Sequence, residues 1–119
     1  MTGCIKSNAA TRFAFDKNAD VSEATIKQVN LAFRKSFLGG DWYYQGAQAM
    51  NGTVNAYIQI PTKLEMAERE QKNYLKMAIC PKKDKVQMWQ SLKEIPLSVH
   101  IYTSNKKFTV YAHCENPLV

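Results

Sequence analysis

The sequence predicts one α+β domain in the order β-α-β-β-α-α-β-β, with two antiparallel hairpins packed on amphipathic helices. Three observations carry that reading. Asn51-Gly52 sits between two segments of alternating pattern, and both turn positions of a two-residue hairpin need positive φ. Residues 97–103 and 107–114 alternate around Ser104-Asn105-Lys106 in a register that sets apolar against apolar. Elsewhere, apolar residues recur at three- and four-residue steps behind capping signals, as helices require.

Taken in order, Arg12-Phe13-Ala14-Phe15 alternates and reads as a short edge strand. Asp20 with Glu23 makes a capping box, in which each side chain satisfies an N–H left unpaired by the first turn. Ile26, Val29, Phe33 and Phe37 then line one helix face, and Gly39-Gly40 ends it. Pairing about Asn51-Gly52 sets Ala49 against Val54, Ala47 against Ala56 and Tyr43 against Ile60. On the other face Gly46 meets Tyr57 and Tyr44 meets Gln59, with the Tyr57 ring expected to cover the bare glycine backbone. Val54, Ala56, Ile58 and Ile60 face the core.

Pro61 stops that strand, and Thr62 with Glu65 forms a second capping box. The helix is expected to run to Ile79, with Leu64, Ala67, Gln71, Leu75 and Ala78 on its buried stripe. Glu65 with Arg69 and Glu68 with Lys72 fall at i,i+4 spacing on its outer face. Cys80-Pro81 ends it. Asp84 with Gln87 caps a shorter helix that turns Val86, Trp89 and Leu92 inward, and Pro96 closes that helix. The last hairpin then sets Ile101 against Val110 and Val99 against Ala112.

A chain of 119 residues with 45% hydrophobic composition can bury a core without metals. No apolar run reaches the roughly 18 residues that span a bilayer. Residues 1–11 read as a polar tether and residues 12–117 as the domain. Sixteen basic residues against ten acidic ones give +6, a balance suited to an anionic partner or simply to solubility.

The chain opens Met1-Thr2-Gly3-Cys4, which resembles the tail of a bacterial lipobox: small residues, then a cysteine whose thiol receives diacylglycerol. The resemblance implies that Cys4 is a membrane anchor and that a charged and then apolar signal segment is encoded upstream of Met1. Ile5 and Lys6, with no Asp next to the cysteine, imply sorting to the outer membrane. Export would also leave Cys80 and Cys114 as an even pair able to staple helix to sheet, whereas a cytosolic chain would keep all three thiols free. The element order resembles the small α+β domains of secretin N-termini and of lipoproteins in conjugation or type IV secretion machines.

On the final hairpin His100 faces Tyr111 and His113 faces Ser98, and Tyr102 and Thr109 share that face. Together with Trp42, Tyr44 and Tyr57 these residues form a candidate binding surface, although a half-buried sheet ordinarily turns polar residues to water. Trp42-Tyr43-Tyr44 is a candidate protein contact, set against plain core and edge packing. Lys82, Lys83 and Lys85 in one loop and Lys106 and Lys107 at a hairpin tip form a candidate basic patch for phosphates or headgroups. Solvated lysines are the ordinary reading.

Adjacent His113 and Cys114 point to opposite faces, so they make a poor metal pair, and a Cys–His nucleophile would need Cys80 to supply the thiol. No nucleophile elbow or phosphate-cradling glycine loop occurs. The expectation is a non-enzymatic envelope lipoprotein that binds other envelope proteins, with no cofactor, metal or small-molecule substrate. The alternatives are a cytosolic nucleic-acid-binding module using the Tyr/His face, or a small inhibitor or immunity-type protein.

Overall fold

The computed structural model describes residues 21–37 and 40–119. The expected tether, the strand at residues 12–15, Asp20 and Gly39 lie outside the described residues. What is described is a small α+β domain: three helices on one four-stranded mixed sheet.

Helix α1 spans Glu23–Ser36. Its cap falls on Ser22, whose Oγ accepts from the Thr25 backbone N–H at 3.2 Å, two residues later than the Asp20 box predicts. The Thr25 hydroxyl is buried and pairs with Ser91 Oγ at 2.9 Å, which ties the start of α1 to the third helix. Val29, Ala32 and Phe33 are buried, and Ile26 and Phe37 pack against them more loosely.

Strands β1 (Tyr43–Met50) and β2 (Thr53–Ile60) pair antiparallel about Asn51 and Gly52, which take φ of 55° and 76°. Ala49 faces Val54, Ala47 faces Ala56 and Gly46 faces Tyr57, as the pattern predicts. The register slips between Tyr44 and Gly46, so Tyr44 meets Ile58 and Tyr43 meets Gln59, one residue away from the expected partners. Gln45 is the extra residue of this bulge, and Gly46 beside it takes φ +119°, which L side chains rarely adopt. The slip turns Tyr44 to the helical side, because strand side chains alternate and one added residue inverts every face beyond it.

Helix α2 spans Glu68–Tyr74 and continues as a π-helical turn, Leu75–Ile79. It starts later than the Thr62–Glu65 box predicts. Glu70 Oε1 accepts from the Ala67 N–H at 3.2 Å, and residues 61–67 form a connector ahead of the helix. Buried Gln71 holds that connector, its Nε2 donating to the carbonyls of Leu64 and Met66 at 3.2 and 2.7 Å. Glu65 therefore precedes the helix, and the i,i+4 ion pair found is Glu68–Lys72 at 3.5 Å. The wide turn closes with the Cys80 N–H on the Leu75 carbonyl at 2.8 Å. It also breaks the 3.6-residue stripe, so Leu75 is buried while Ala78 is exposed.

Helix α3 spans Val86–Leu92 and buries Met88, Trp89 and Leu92. Val86, expected inward, is exposed at its first position, and Met88 takes the core place. No side chain caps its start, so the Asp84 box does not form as predicted. Its end is held from the C-terminal tail, where Asn116 Nδ2 donates to the carbonyls of Trp89 and Lys93 at 3.0 and 2.9 Å.

Strands β3 (Leu97–Thr103) and β4 (Thr109–Cys114) pair antiparallel in the predicted register, Ile101 on Val110 and Val99 on Ala112. The connection through α2 and α3 lays β3 parallel beside β2, giving the order β1-β2-β3-β4. Buried residues of α1, the π-helical turn and α3 join Val54, Ile58, Leu97, Val99 and Ile101 in one core on one side of the sheet. Cys80 and Cys114 are disulfide-bonded across a Cα separation of 5.5 Å, fastening the end of the π-helical turn to the end of β4.

Candidate functional site

The sheet side opposite the core is built in rows, because side chains at even spacing share a face and the three registers align them across strands. One row runs Gly46, Tyr57, His100, Tyr111. The row on one side of it runs Tyr43, Gln59, Tyr102, Thr109, and the row on the other runs Gln48, Asn55, Ser98, His113. None of the four strands contains an Asp, Glu, Lys or Arg. This face is neutral, aromatic and rich in hydrogen-bonding groups.

The central row is a run of rings. His100 lies 4.9 Å from Tyr57 and 5.2 Å from Tyr111 between centroids, tilted by 31° and 19°. His113 meets the edge of Tyr111 at 6.0 Å, and the Lys72 ammonium sits 5.3 Å from the Tyr111 centroid. The 4.9 Å step is close to the spacing between neighbouring strands, so the ladder itself sets the stack. His100 Nε2 lies 2.9 Å from Asn55 Oδ1; that oxygen can only accept, so Nε2 carries the proton and Nδ1 is the bare nitrogen of the neutral ring. His113 Nδ1 and Ser98 Oγ are 2.8 Å apart, with Ser98 buried.

Burial lowers the His100 pKa below 6.5, and the charge of His113 adds to that. An unfolded chain protonates this ring first as pH falls, so the neutral, half-buried ring stabilises the fold above the ordinary histidine range. That contribution is lost as pH drops through the lowered value. Denaturant midpoints measured from about pH 7.5 to about pH 5 are expected to fall more steeply for the native chain than for His100→Asn. Equal slopes would remove this role.

Of the candidate surface residues, Tyr57, His100, Tyr102, Tyr111 and His113 share this face. Trp42 and Tyr44 do not. Tyr44 stacks on Phe33 at 5.2 Å and 4°, and its hydroxyl donates to Asn30 Oδ1 at 2.6 Å. Burial pushes that phenol pKa well above its usual range, against a smaller opposing effect of Arg34. Asn30 Oδ1 also accepts from the Ala47 N–H at 3.1 Å, fastening α1 to the strand just past the bulge. Trp42 packs against the core and meets Tyr74 edge-on at 6.2 Å.

The candidate lysines do not form one patch. Lys82 and Lys83 border a depression beside the disulfide, Lys85 a groove between α1 and α3, and Lys106 a cleft on the sheet face. The Lys82 ammonium donates to the Met77 carbonyl. Among the described residues no group of three or more His, Cys, Asp or Glu is placed to hold a metal ion. Among them, too, no helix is long and apolar enough to cross a membrane. Sequence reasoning missed Asn55 and Lys72, which reach the rings only once β2 lies beside β3 and α2 beside β4.

No protein-family model, curated protein or solved structure matches the chain.

Proposed function

We propose that the chain is a non-enzymatic bacterial envelope protein, anchored at the outer membrane through lipid on Cys4, whose Tyr/His sheet face binds an acidic surface of a partner envelope protein. The Cys80–Cys114 bond carries the location, because disulfides persist in oxidising compartments and this one leaves Cys4 as the third cysteine. The partner chemistry rests on charge. The four strands carry no carboxylate, Lys106 borders the face, Lys72 reaches Tyr111 while paired with Glu68, and the whole chain is +6. Exposed tyrosines such as Tyr111 suit a protein contact, since their rings bury large area with a hydroxyl to spare. A secretion or conjugation assembly is the setting in which such a lipoprotein would act.

The face is less suited to stacking a nucleic-acid strand along its length. Tyr57, His100 and Tyr111 are engaged with one another along the row, whereas a strand of stacked bases needs a succession of free ring faces.

Two measurements in the native host test the reading. Intact-protein mass analysis is expected to find diacylglycerol on Cys4 and the other two cysteines bonded; three free, unmodified thiols would refute the location. A photo-crosslinker at Tyr111 is expected to trap an envelope protein with an acidic surface, with a yield that falls as salt rises. The same group at Leu31, on the helical side, should trap none. Crosslinks to nucleic acid alone, or none at Tyr111, would end the partner assignment.

A further inference from the structure

The central row has one vacant position. Rings occupy it at Tyr57, His100 and Tyr111, but the β1 member is Gly46. Sequence pattern expects the Tyr57 ring to lie over that glycine. Instead it leans to His100, and nothing stands within 4 Å of where a Gly46 Cβ would be. A cleft of about 460 Å³ results, with Gly46 in its floor and Tyr57 and Tyr102 along it.

Two features keep the cleft open. Gly46 is held at φ +119° by the bulge, so this position resists any side chain that would fill the gap. Asn30 clamps the strand from the opposite side through the Ala47 N–H. The cleft is lined by one cation, Lys106. The β3–β4 turn fixes its backbone at φ 60°, with the Lys106 N–H on the Thr103 carbonyl at 2.8 Å. Asn105 Oδ1 braces the same turn by accepting from Thr103 Oγ1 at 2.7 Å and the Lys107 N–H at 3.0 Å. The amides of Gln45 and Gln48 add donors and acceptors, and no carboxylate lines the space.

We infer that this cleft binds a small anionic ligand built on a flat ring. The ring lies in the cleft against Tyr57 and Tyr102, and its anionic group is directed to the Lys106 side. The volume falls within the range of small-molecule sites, and offset stacking on tyrosine together with one cation supplies orientation. The ligand is bound and not turned over, and the inference stands apart from the partner reading above, which is tested in cells.

The anion has two chemical sources, a carboxylate or a phosphate, and the test separates them. The purified chain is titrated by two-dimensional NMR with benzoate and with uridine monophosphate; uncharged benzyl alcohol and uridine, and non-planar cyclohexanecarboxylate, serve as controls. Saturable shifts at Gly46, Tyr57, Tyr102 and Lys106 are expected with a flat anion and not with the controls. Benzoate alone would assign a carboxylate, the nucleotide alone a phosphate. Lys106→Gln is expected to weaken binding about fivefold, the upper end of what a solvent-facing ion pair supplies. Tyr57→Leu is expected to weaken it by a similar factor. Gln48→Trp, which fills the cleft from a rim position with ordinary backbone, should abolish binding with the remaining spectrum kept. No saturable shift with either anion, an equal response to the controls, or shifts centred on Lys76–Lys83 would overturn the inference.

Discussion

Replacing Cys80 and Cys114 together by alanine is expected to lower the unfolding free energy by about 3–4 kcal/mol. The bond joins residues 34 apart, and the loop it closes contains α3, β3 and most of β4. Holding the ends of so long a segment together removes a large share of the freedom of the unfolded chain. It also fixes the π-helical turn over β4, where Cys80 and Cys114 are both buried in the core. Urea unfolding of the native chain with and without a reductant, beside the double variant, checks this. The reduced chain and the variant should share a midpoint well below that of the oxidised chain. A shift of under about 1 kcal/mol would mean that the helices hold the sheet without the staple. The same experiment bears on compartment, because a domain that needs this bond is poorly suited to a reducing cytosol.

Trp89→Ala is expected to cost about 3–5 kcal/mol, a large share of the stability of a domain of this size. Trp89 is 1% exposed and sits at the middle of α3 within the single core. Its indole N–H donates to the Lys82 carbonyl at 3.0 Å, and its own carbonyl receives Asn116 from the C-terminal tail. Truncation therefore opens a cavity, removes one of the two donors on the Lys82 carbonyl (the Lys85 N–H remains at 3.0 Å) and loosens the segment that positions Cys80. Circular dichroism during denaturant titration reads the loss. Trp89→Phe should recover much of it by refilling volume without restoring the hydrogen bond, and a near-neutral Trp89→Ala would show that α3 is not required for the core.

The elements that could be read in advance share a physical cause: their signals are local. Asn51-Gly52 carries its own turn geometry, and the pairing of Ile101 with Val110 follows from a short loop and two alternating strands. Helix starts were less legible, because capping-box spacing alone does not fix where a helix begins. Asp20 with Glu23, Thr62 with Glu65 and Asp84 with Gln87 all have capping-box spacing, yet α1 is capped by Ser22, α2 begins at Glu68, and α3 starts without a side-chain cap. Propensity and spacing rank such starts closely, and tertiary packing selects among them. The bulge at Gln45 left no distinct mark, since a glycine within a strand fits either plain pairing or a slip.

The candidate site divides along the same line. His100, Tyr102, Tyr111 and His113 fall on one face because strand side chains alternate, and that much is contained in residues 97–114. Tyr57 joins them only because β2 lies parallel beside β3, a pairing between segments nearly forty residues apart that no short-range pattern encodes. The same pairing brings Asn55 to His100, and the one-residue slip at Gln45 sends Tyr44 inward while leaving Gly46 bare beside Tyr57. Alternation and turn chemistry, which act over a few residues, determined the elements and their inner and outer faces. The neighbours on those faces, and the gap between them, were decided by how the whole chain buries its apolar surface.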